Sequence, residues 1–372
     1  MKTITVRLGD RSYPIIIGRN LLRKTGELLK PLKLGQKVLI VSNKKVAGHF
    51  LAPVSKSLTR SGFKVYFYSL SYGNERDKSE KEITKLWKAM ARIPLDRSST
   101  VLALGGGVVG DTAGFAASTY MRGVSLVQIP TTLLAQVDSS IGGKTGMDLP
   151  AAKNIVGTFY QPRLVISDVE TLKTLDQKEF RNSFSEVIKY GMIQDPRLFE
   201  FLEKKGRSLI KSVKRKSFRS REFEFLEEII GHSALVKAKV VEEDERETKG
   251  KRMILNYGHT FAHALEGVSK FKIPHGEAVA TGMILAGELA LRMRHFSIQD
   301  QARQISLIRQ VSRPARYGFS STQILNFMKR DKKVRNGVLR FILPVRIGKV
   351  KVFENVPENW VRNVLDRYRS VR

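Results

Sequence analysis

Short apolar runs alternate with longer amphipathic stretches over about the first 180 residues. The runs are rich in β-branched residues and end at turn-forming residues, which favours buried strands. Between the first two runs, GHFLAPVSKSLTRSG has the apolar spacing of a helix. Alternating strands and helices predict βα units and a mostly parallel sheet. The predicted strands are KVLIVSN, KVYFYSL, STVLALGGG, SLVQIPTT and RLVISDVETL.

The pattern becomes helical from about residue 179. Apolar residues then recur at helical spacing in several long stretches, which predicts a second domain built from helices alone. We therefore expect an α/β domain over 1–178 and an all-α domain over 179–372. The helical stretches include EFEFLEEIIGHSALVKAKVVEEDE, LNYGHTFAHALE, GEAVATGMILAGELALRMRH and STQILNFMKRDKK.

Length and composition restrict the class of protein. A chain of 372 residues is long enough for two packed domains. Its apolar runs are shorter than the ~20 residues that span a bilayer, and the opening MKTITVRLGDRSYPII has the alternation of a strand rather than the apolar core of a signal peptide. We expect a cytoplasmic protein without a membrane partner. Because the chain has no cysteine, any metal must be held by nitrogen and oxygen.

The chain is strongly basic, with 66 Lys and Arg against 35 Asp and Glu and a formal charge of +31. Half of residues 204–221 are basic and none is acidic. Such charge suggests nucleic-acid binding, but it also extends through the C-terminal tail and most helices without an aromatic stacking pattern. We expect no specific nucleic-acid partner. A basic proteome or a polyanionic small substrate explains the charge more simply.

Three of the six histidines fall close together, at His259, His263 and His275. Histidines four residues apart share one face of a helix, and imidazole is a common zinc ligand and proton carrier. Such histidines can also simply hydrogen-bond to neighbours. Glu186 could supply a carboxylate ligand, or pair with Lys189 on its own helix. Only the combination indicates a metal site.

A glycine cluster follows one predicted strand, in the sequence GGGVVGD before the helix TAGFAAS. Glycines between a strand and a helix let backbone amides approach a diphosphate at the positive end of the helix. The spacing departs from the usual dinucleotide motif, so a plain tight turn stays possible. A segment crowded with polar groups comes next. It carries Thr131, Thr132, Asp138, Lys144, Lys153 and Asn154.

Several long motifs, in order and over residues 38–345, resemble the 3-dehydroquinate synthase family. They are GGGVVGDTAGFAASTYMRG, PTTLLAQVDSSIGGKTG, NIVGTFYQP, SEVIKYG, DERE, LNYGHTFAHALE, HGEAVA and DKKVRNGVLRFILP. The resemblance implies an α/β domain that binds NAD, a helical domain that binds one divalent metal, zinc or cobalt, and an active site in the cleft between them. It also implies a homodimer, with Arg122 reaching the neighbouring subunit.

The resemblance assigns residues to roles. The metal ligands would be Glu186, His259 and His275, and His263 would relay a proton. The other catalytic positions would be Lys189, Glu247 and Asn256. Substrate contacts would be Arg122, Asp138, Lys144, Asn154, Lys189, Lys237, Arg252, Asn256 and Lys332, with Lys333 an alternative to the last. NAD contacts would be Glu75, Lys78, Gly106, Gly107, Val108, Val109, Gly110, Asp111, Thr131, Thr132, Lys144, Lys153, Thr171, Leu172, Lys173 and Thr174.

One element departs from the family pattern. Asn74 stands where the family has the glycine of Gly-Glu-x-x-Lys, ahead of Glu75 and Lys78. Asparagine tolerates left-handed backbone better than most residues, so we expect the loop to keep its shape.

The implied substrate is 3-deoxy-D-arabino-heptulosonate 7-phosphate, which would lose phosphate and cyclise to 3-dehydroquinate. Related sugar-phosphate cyclases accept substrates without the carboxylate. Because a site built around a charged group rejects an analogue without it, Arg252 and the Lys332 and Lys333 pair favour the carboxylated substrate. The SEVIKYG and DKK elements speak against glycerol-type dehydrogenases, which are more distant relatives.

Overall fold

The computed structural model describes residues 1–149, 152–215, 218–330 and 339–370. The strands are β1 (Lys2–Val6), β2 (Tyr13–Gly18), β3 (Lys37–Asn43), β4 (Lys64–Leu70), β5 (Thr100–Gly105), β6 (Ser125–Pro130), β7 (Lys144–Leu149), β8 (Ala152–Phe159), β9 (Leu164–Asp168), β10 (Phe341–Arg346) and β11 (Lys349–Phe353). The helices are α1 (Thr25–Leu29), α2 (Lys44–Arg60), α3 (Glu80–Arg92), α4 (Gly107–Thr119), α5 (Gln177–Ile193), α6 (Pro196–Lys214), α7 (Ser220–Glu243), α8 (His259–Val268), α9 (His275–Arg292), α10 (Ile298–Val311), α11 (Ser321–Arg330) and α12 (Glu358–Ser370).

Seven strands form the main sheet, in the order β1-β2-β9-β6-β5-β3-β4. All neighbours pair in parallel except β1 with β2. The order reverses beside β3, because β4 lies on one side of it and β5 on the other. At such a reversal the loops that follow the carboxyl ends of the two adjacent strands, here β3 and β5, run in opposite directions and leave a crevice. Open α/β sheets bind ligands in this crevice.

The main sheet is covered by helices on both faces. Val38 and Ile40 face one cluster of buried residues with the side chains of α1 and α2. Leu39 and Val41 point to the opposite face of the sheet, into a second cluster of buried residues with the side chains of α3 and α4. Both sets are fully buried, so β3 is apolar at successive positions, as strands of a covered parallel sheet are. The predicted α/β arrangement of this part of the chain is confirmed.

The chain divides into two units, and the division is discontinuous. The first unit comprises Met1–Leu175 and Arg219–Arg246, and the second comprises Asp176–Phe218 and Glu247–Arg372. The predicted domain boundary at residue 178 lies close to the point where the chain first passes from the first unit to the second. Residues 179–372, however, are divided between the two units. Helix α7 packs on β1 and β2, and the backbone N–H of Arg7 donates to the carboxylate of Glu242. The helical periodicity of α7 could not show to which unit it belongs, because both units bury helices.

The second unit is built around α9, which packs against α5, α8, α10 and α12. Nearly all of its residues after the first turn are buried, and many are Gly or Ala. A helix buried on all sides is central rather than amphipathic, and small side chains let its neighbours approach. The unit is helical as predicted, but it also contains the hairpin β10–β11, which the expectation of an all-α domain omitted.

Two regions of the sequence hold elements that the periodicity did not predict. The polar segment after β6 forms the antiparallel hairpin β7–β8, and the lysine-rich stretch belongs largely to α6.

Within the described ranges, no helix combines the length and the apolar character that crossing a membrane requires.

Glycine packing at α9 can be tested with Gly282→Ala. A Cβ at Gly282 would overlap with the backbone oxygen of Gly258, at the start of α8, so the two helices must separate. We expect the free energy of unfolding to fall by about 1–3 kcal/mol, as overpacking does in other cores, measured by chemical denaturation.

The matched control is Gly48→Ala in α2. A Cβ there meets no atom within 4 Å, and alanine favours helix over glycine by about 0.5–1 kcal/mol. This variant should be as stable as the parent or more so. Equal stability of Gly282→Ala and the parent would contradict the close-packing argument.

Candidate functional site

Glu186, His259 and His275 come together in the second unit. One ligand atom from each lies within 4.8 Å of the other two. Helix α5 carries Glu186 in its interior, whereas His259 and His275 are the first residues of α8 and α9. Residues remote in sequence thus meet where three helices pack. The predicted grouping of these three side chains is what the structure shows.

The imidazoles face one carboxylate oxygen. The Nε2 atoms of His275 and His259 lie 3.3 and 3.4 Å from Oε1 of Glu186. The other ring nitrogens have acceptors of their own, since Nδ1 of His259 lies 3.1 Å from the backbone oxygen of Tyr257 and Nδ1 of His275 lies 3.2 Å from Oε1 of Glu266. With a proton on Nδ1, each Nε2 can ligate a cation through its lone pair or, when protonated, donate to the carboxylate. Such an arrangement suits a cation between the three ligand atoms.

Lys189 contacts the other oxygen of the same carboxylate. It lies one turn after Glu186 on α5 and forms an ion pair with Oε2. Both side chains are 2% exposed, so neither charge is hydrated and each depends on the other. Oε1 is therefore the oxygen directed at the imidazoles. Lys189 also lies 4.9 Å from the centre of the Tyr190 ring.

Burial and charge shift the pKa values of these groups in different directions. Burial lowers the pKa of His259 to about 4. Burial also acts to lower that of His275, but hydrogen bonds with Glu186 and Glu266 raise its pKa to about 10. Burial favours neutral Glu186, yet Lys189 and His259 hold the pKa of its carboxyl well below the usual range. The carboxylate is therefore ionised, with the ammonium of Lys189 beside it.

Short contacts hold α5 and α9 in register at the site. The hydroxyl of Ser185 donates to the backbone oxygen of Gly276 at 2.6 Å, and these two residues adjoin Glu186 and His275. A Cβ at Gly276 would overlap with the backbone oxygen of Asn182. The glycine therefore lets the first turn of α9 touch α5, which brings the imidazole to the carboxylate.

His263 lies one turn after His259 on α8. The two rings are 5.4 Å apart and perpendicular, and His263 is partly buried. It is not a member of the three-residue group. This position beside the group is compatible with the predicted proton relay, which stays a prediction.

Three other predicted site residues of this unit lie in the segment that precedes α8. Arg252 is buried, and its Nε lies 3.5 Å from Oε1 of Glu247. Asn256 ends the short helix Lys251–Asn256 and is partly buried. Lys332 and the alternative Lys333 lie outside the described residues.

The glycine turn in the first unit lies where the strand order reverses. Strand β5 ends at Gly105, and α4 begins at Gly107 with Gly106 as its N-cap. A Cβ at Gly106 would lie 3.0 Å from the Thr132 side chain, and one at Gly110 would lie 2.9 Å from that of Gln128. Part of the glycine content therefore serves packing of α4. The predicted placement of this turn between a strand and a helix is confirmed.

Two valines follow in the turn, and they differ. The side chain of Val109 is buried in the core beneath the sheet, whereas Val108 is partly exposed. Any contact of Val109 with a nucleotide is therefore left to its backbone.

Lys78 joins residues from three predicted elements. Its ammonium donates to Asp111 at 2.8 Å and to the side-chain oxygen of Asn154, and it lies 4.0 Å from Glu75. Lys153 lies 3.5 Å from the same Glu75 oxygen. Burial acts to lower the pKa of Lys78, but Asp111 raises it, so the ammonium stays charged. Four predicted nucleotide residues and one predicted substrate residue thus form one polar cluster.

The expected reason for tolerance at Asn74 is wrong. Its backbone is extended, with φ −146°, so no left-handed conformation is needed there. The left-handed residue is the preceding Gly73, at φ 70°. The Asn74 side chain instead accepts the backbone N–H of Arg76. Asn74 thereby caps the short helix Glu75–Asp77.

The remaining predicted nucleotide residues have local structural contacts. The N–H of Thr131 donates to Gly105, and Thr132 accepts from Ala135. Thr171 donates to the backbone oxygen of Asp168. Leu172 is buried, Lys173 pairs with Glu170, and Thr174 donates to the backbone oxygen of Thr171. These contacts neither require nor exclude a nucleotide.

Asp138 and Lys237, both predicted to contact substrate, contact each other. The ammonium of Lys237 on α7 donates to the backbone oxygen of Asp138 at 2.6 Å and also to its carboxylate. Lys144 begins β7 and is exposed, and Arg122 is exposed in the turn after α4. The structure therefore gathers the predicted residues of the first unit into separate groups.

Sequence reasoning missed two anchors of the imidazoles. The backbone oxygen of Tyr257 and the carboxylate of Glu266 accept from the ring nitrogens that face away from Glu186. Glu266 could have been found, because it comes seven residues after His259 and so lies on the same helical face. The backbone carbonyl of Tyr257 could not have been found from the sequence, since every residue has a backbone carbonyl.

Comparison with known proteins decides the family. The profile of the N-terminal region of 3-dehydroquinate synthase matches residues 69–182, and that of the C-terminal region matches 183–334. A 3-dehydroquinate synthase from Picosynechococcus sp. is 44% identical over 98% of this chain and 98% of its own. The chain belongs to the 3-dehydroquinate synthase family. The resemblance noted in the sequence is thereby confirmed.

Solved structures of other sugar-phosphate cyclases share the fold of this 3-dehydroquinate synthase family member. The 2-epi-5-epi-valiolone synthase of Streptomyces hygroscopicus, with NAD+ and Zn2+ bound, has a TM-score of 0.86 and 26% identity, covering 97% of this chain and 98% of its own. A 2-deoxy-scyllo-inosose synthase, complexed with carbaglucose-6-phosphate, NAD+ and Co2+, has a TM-score of 0.83 and 24% identity over 99% of both chains.

The division of roles among the histidines can be tested by metal content. His275→Ala removes an imidazole that faces Glu186, and we expect it to lose zinc. His263→Ala removes a ring outside the three-residue group, so it should retain zinc at the parent stoichiometry. Atomic absorption of the dialysed proteins measures both. Zinc retained by His275→Ala, or lost from His263→Ala, would overturn the assignment.

Proposed function

We propose that this chain converts 3-deoxy-D-arabino-heptulosonate 7-phosphate to 3-dehydroquinate and phosphate, with NAD and one divalent metal, zinc or cobalt. Membership of the 3-dehydroquinate synthase family supports the reaction. One observation in the structure carries the proposal: two imidazole Nε2 atoms face a single buried carboxylate oxygen.

The donor set suits the proposed metals. Two imidazoles and one carboxylate are a usual ligand set of catalytic zinc, and they leave a coordination position for substrate. The ring nitrogens remote from Glu186 have acceptors already, as metal-binding histidines commonly do. Glu186, His259 and His275 would hold the ion. A bound metal would act as a Lewis acid toward substrate hydroxyls and lower the pKa of the one to be oxidised.

The residues around this group would orient and deprotonate the substrate. His263, beside His259, would take the hydroxyl proton at an imidazole nitrogen. Lys189 carries a buried charge next to Glu186 and would attract the anionic groups of the sugar phosphate. Asn256 would hydrogen-bond to hydroxyls, and Arg252 would pair with the substrate carboxylate.

The first unit would hold the nucleotide. The backbone amides at the start of α4 and the positive end of its dipole suit a diphosphate. Lys78 and Asp111 would fix the polar edge of that site. Bound NAD would accept a hydride and later return it, so that the reaction has no net redox change.

Substrate geometry would govern the later steps. The oxidised substrate would be more acidic at the neighbouring C–H, so that phosphate could leave with its own oxygen as the base. Return of the hydride would be followed by ring opening and an intramolecular aldol closure. The residues of the chain would then hold the reacting groups in position. Asp138 and Lys237, which are fixed by their mutual contact, would supply polar groups for this purpose.

The proposed reaction predicts a specific stoichiometry. With catalytic NAD and zinc, the purified chain should release one phosphate per 3-deoxy-D-arabino-heptulosonate 7-phosphate consumed, while absorbance of NADH stays flat. Phosphate release and product identity by mass spectrometry are the measurements. NADH accumulation in step with substrate loss would instead indicate a dehydrogenase.

The control for substrate class is a heptulose 7-phosphate without the carboxylate. This analogue lacks the anionic group that would pair with the buried guanidinium of Arg252 in addition to Glu247. We expect kcat/KM for the analogue to be at least ~100-fold lower, since loss of a charged contact in a buried site costs several kcal/mol. Comparable turnover of both compounds would favour the activity of the related cyclases.

We further propose a homodimer in which Arg122 of one chain reaches the site of the other. This rests on the family resemblance and on the exposed position of Arg122, whose φ of 68° holds it in a left-handed turn after α4. Light scattering should give twice the 42.0 kDa chain mass. In that dimer, Arg122→Ala should raise KM for the sugar phosphate while the mass stays unchanged.

A further inference from the structure

Glu266 approaches the metal-binding group from behind His275. It lies two turns after His259 on α8, and its Oε1 is 3.2 Å from Nδ1 of His275. The opposite ring nitrogen of His275 is the one that faces Glu186. Glu266 is therefore placed to act on the imidazole without reaching the position between the three ligand atoms.

The contact is more than a surface ion pair. The side chain of Glu266 is 14% exposed, and a buried carboxylate costs free energy unless it is paired. Its ion-pair partner is His275, at 3.2 Å.

The two imidazoles are anchored by different acceptors. Nδ1 of His259 donates to a neutral backbone oxygen, that of Tyr257. The Tyr257 hydroxyl donates to the backbone oxygen of Met283, which fixes that acceptor in turn. His275 has a charged acceptor on a side chain instead. The orientation of His275 thus depends on one residue that can be substituted.

The location of His275 explains why a charged acceptor matters. It is the first residue of α9, where the helix dipole disfavours positive charge and makes an imidazole a poorer donor to a cation. Its side chain is also 40% exposed, against 10% for His259. Packing therefore restrains His275 less. A carboxylate on Nδ1 opposes the dipole and restricts rotation of the ring.

We propose that Glu266 is a positioning residue for the metal site. It fixes His275 as the Nδ1–H tautomer, directs Nε2 toward the cation and increases the donor strength of the ring. It also contributes a second negative charge within the buried group. The inference rests on the proposed metal-dependent function and concerns metal affinity, which is measured without turnover.

The test compares zinc affinity among variants of the full chain. Glu266→Ala removes both the acceptor and the charge, and we expect zinc to bind about 10- to 100-fold more weakly, as loss of such partners does in other sites. Glu266→Gln keeps an acceptor oxygen without the charge and should fall between Glu266→Ala and the parent. Competition with a chromophoric chelator measures affinity, and the visible spectrum of the cobalt-loaded proteins reports ligand geometry.

Glu288→Gln is the matched control. It removes a carboxylate of α9 that is 26% exposed and pairs with Arg367 rather than with a histidine. Zinc affinity and the cobalt spectrum should match those of the parent. Circular dichroism confirms that each variant is folded, and the isosteric Glu266→Gln keeps the test valid if Glu266→Ala does not fold.

The outcomes separate this inference from the proposed function. Parent affinity and an unchanged cobalt spectrum in a folded Glu266 variant would overturn the positioning role and leave the metal site intact. Absence of zinc binding by the parent protein would overturn both. Weakened affinity with a shifted cobalt spectrum, against an unchanged Glu288→Gln, would establish the role.

Discussion

The buried carboxylate of Glu186 is the centre around which the second unit is organised. One of its oxygens pairs with Lys189, and the other faces the two imidazoles. An ionised group that has lost its water must be surrounded by positive charge and hydrogen-bond donors. The packing of α5, α8 and α9 supplies that environment, and the glycines at their contacts allow the close approach.

In the first unit, the backbone amides at the start of α4 lie at the edge of the main sheet. The reversal of strand order next to β3 opens the carboxyl edge there, and α4 begins at that edge. Lys78, Asp111 and Asn154 then link the loop before α3, the start of α4 and hairpin β7–β8. The two units therefore carry separable chemistry, a nucleotide-type edge and a metal-type cluster.

The formal charge of +31 does not come from the buried cations of the predicted site. Among the residues that the structure describes, four cations at predicted site positions are buried, and each lies beside a carboxylate. The pairs are Lys78 with Asp111, Lys189 with Glu186, Lys237 with Asp138, and Arg252 with Glu247. These four pairs are balanced by acids and so do not account for the excess. Site chemistry and overall basicity are therefore separate properties of this chain.

The sequence by itself determined the parallel strands of the main sheet, most long helices and the turn after β5, because periodicity is a local signal. It also indicated the grouping of Glu186 with His259 and His275, because their side-chain chemistry and the long family motifs that carry them can be read without a structure. Tertiary structure alone decided the return of α7 to the first unit, the extended backbone of Asn74 and the approach of Glu266 to His275. Each of these depends on which surfaces pack together, and the same amphipathic helix or loop can satisfy its local preferences against more than one neighbour.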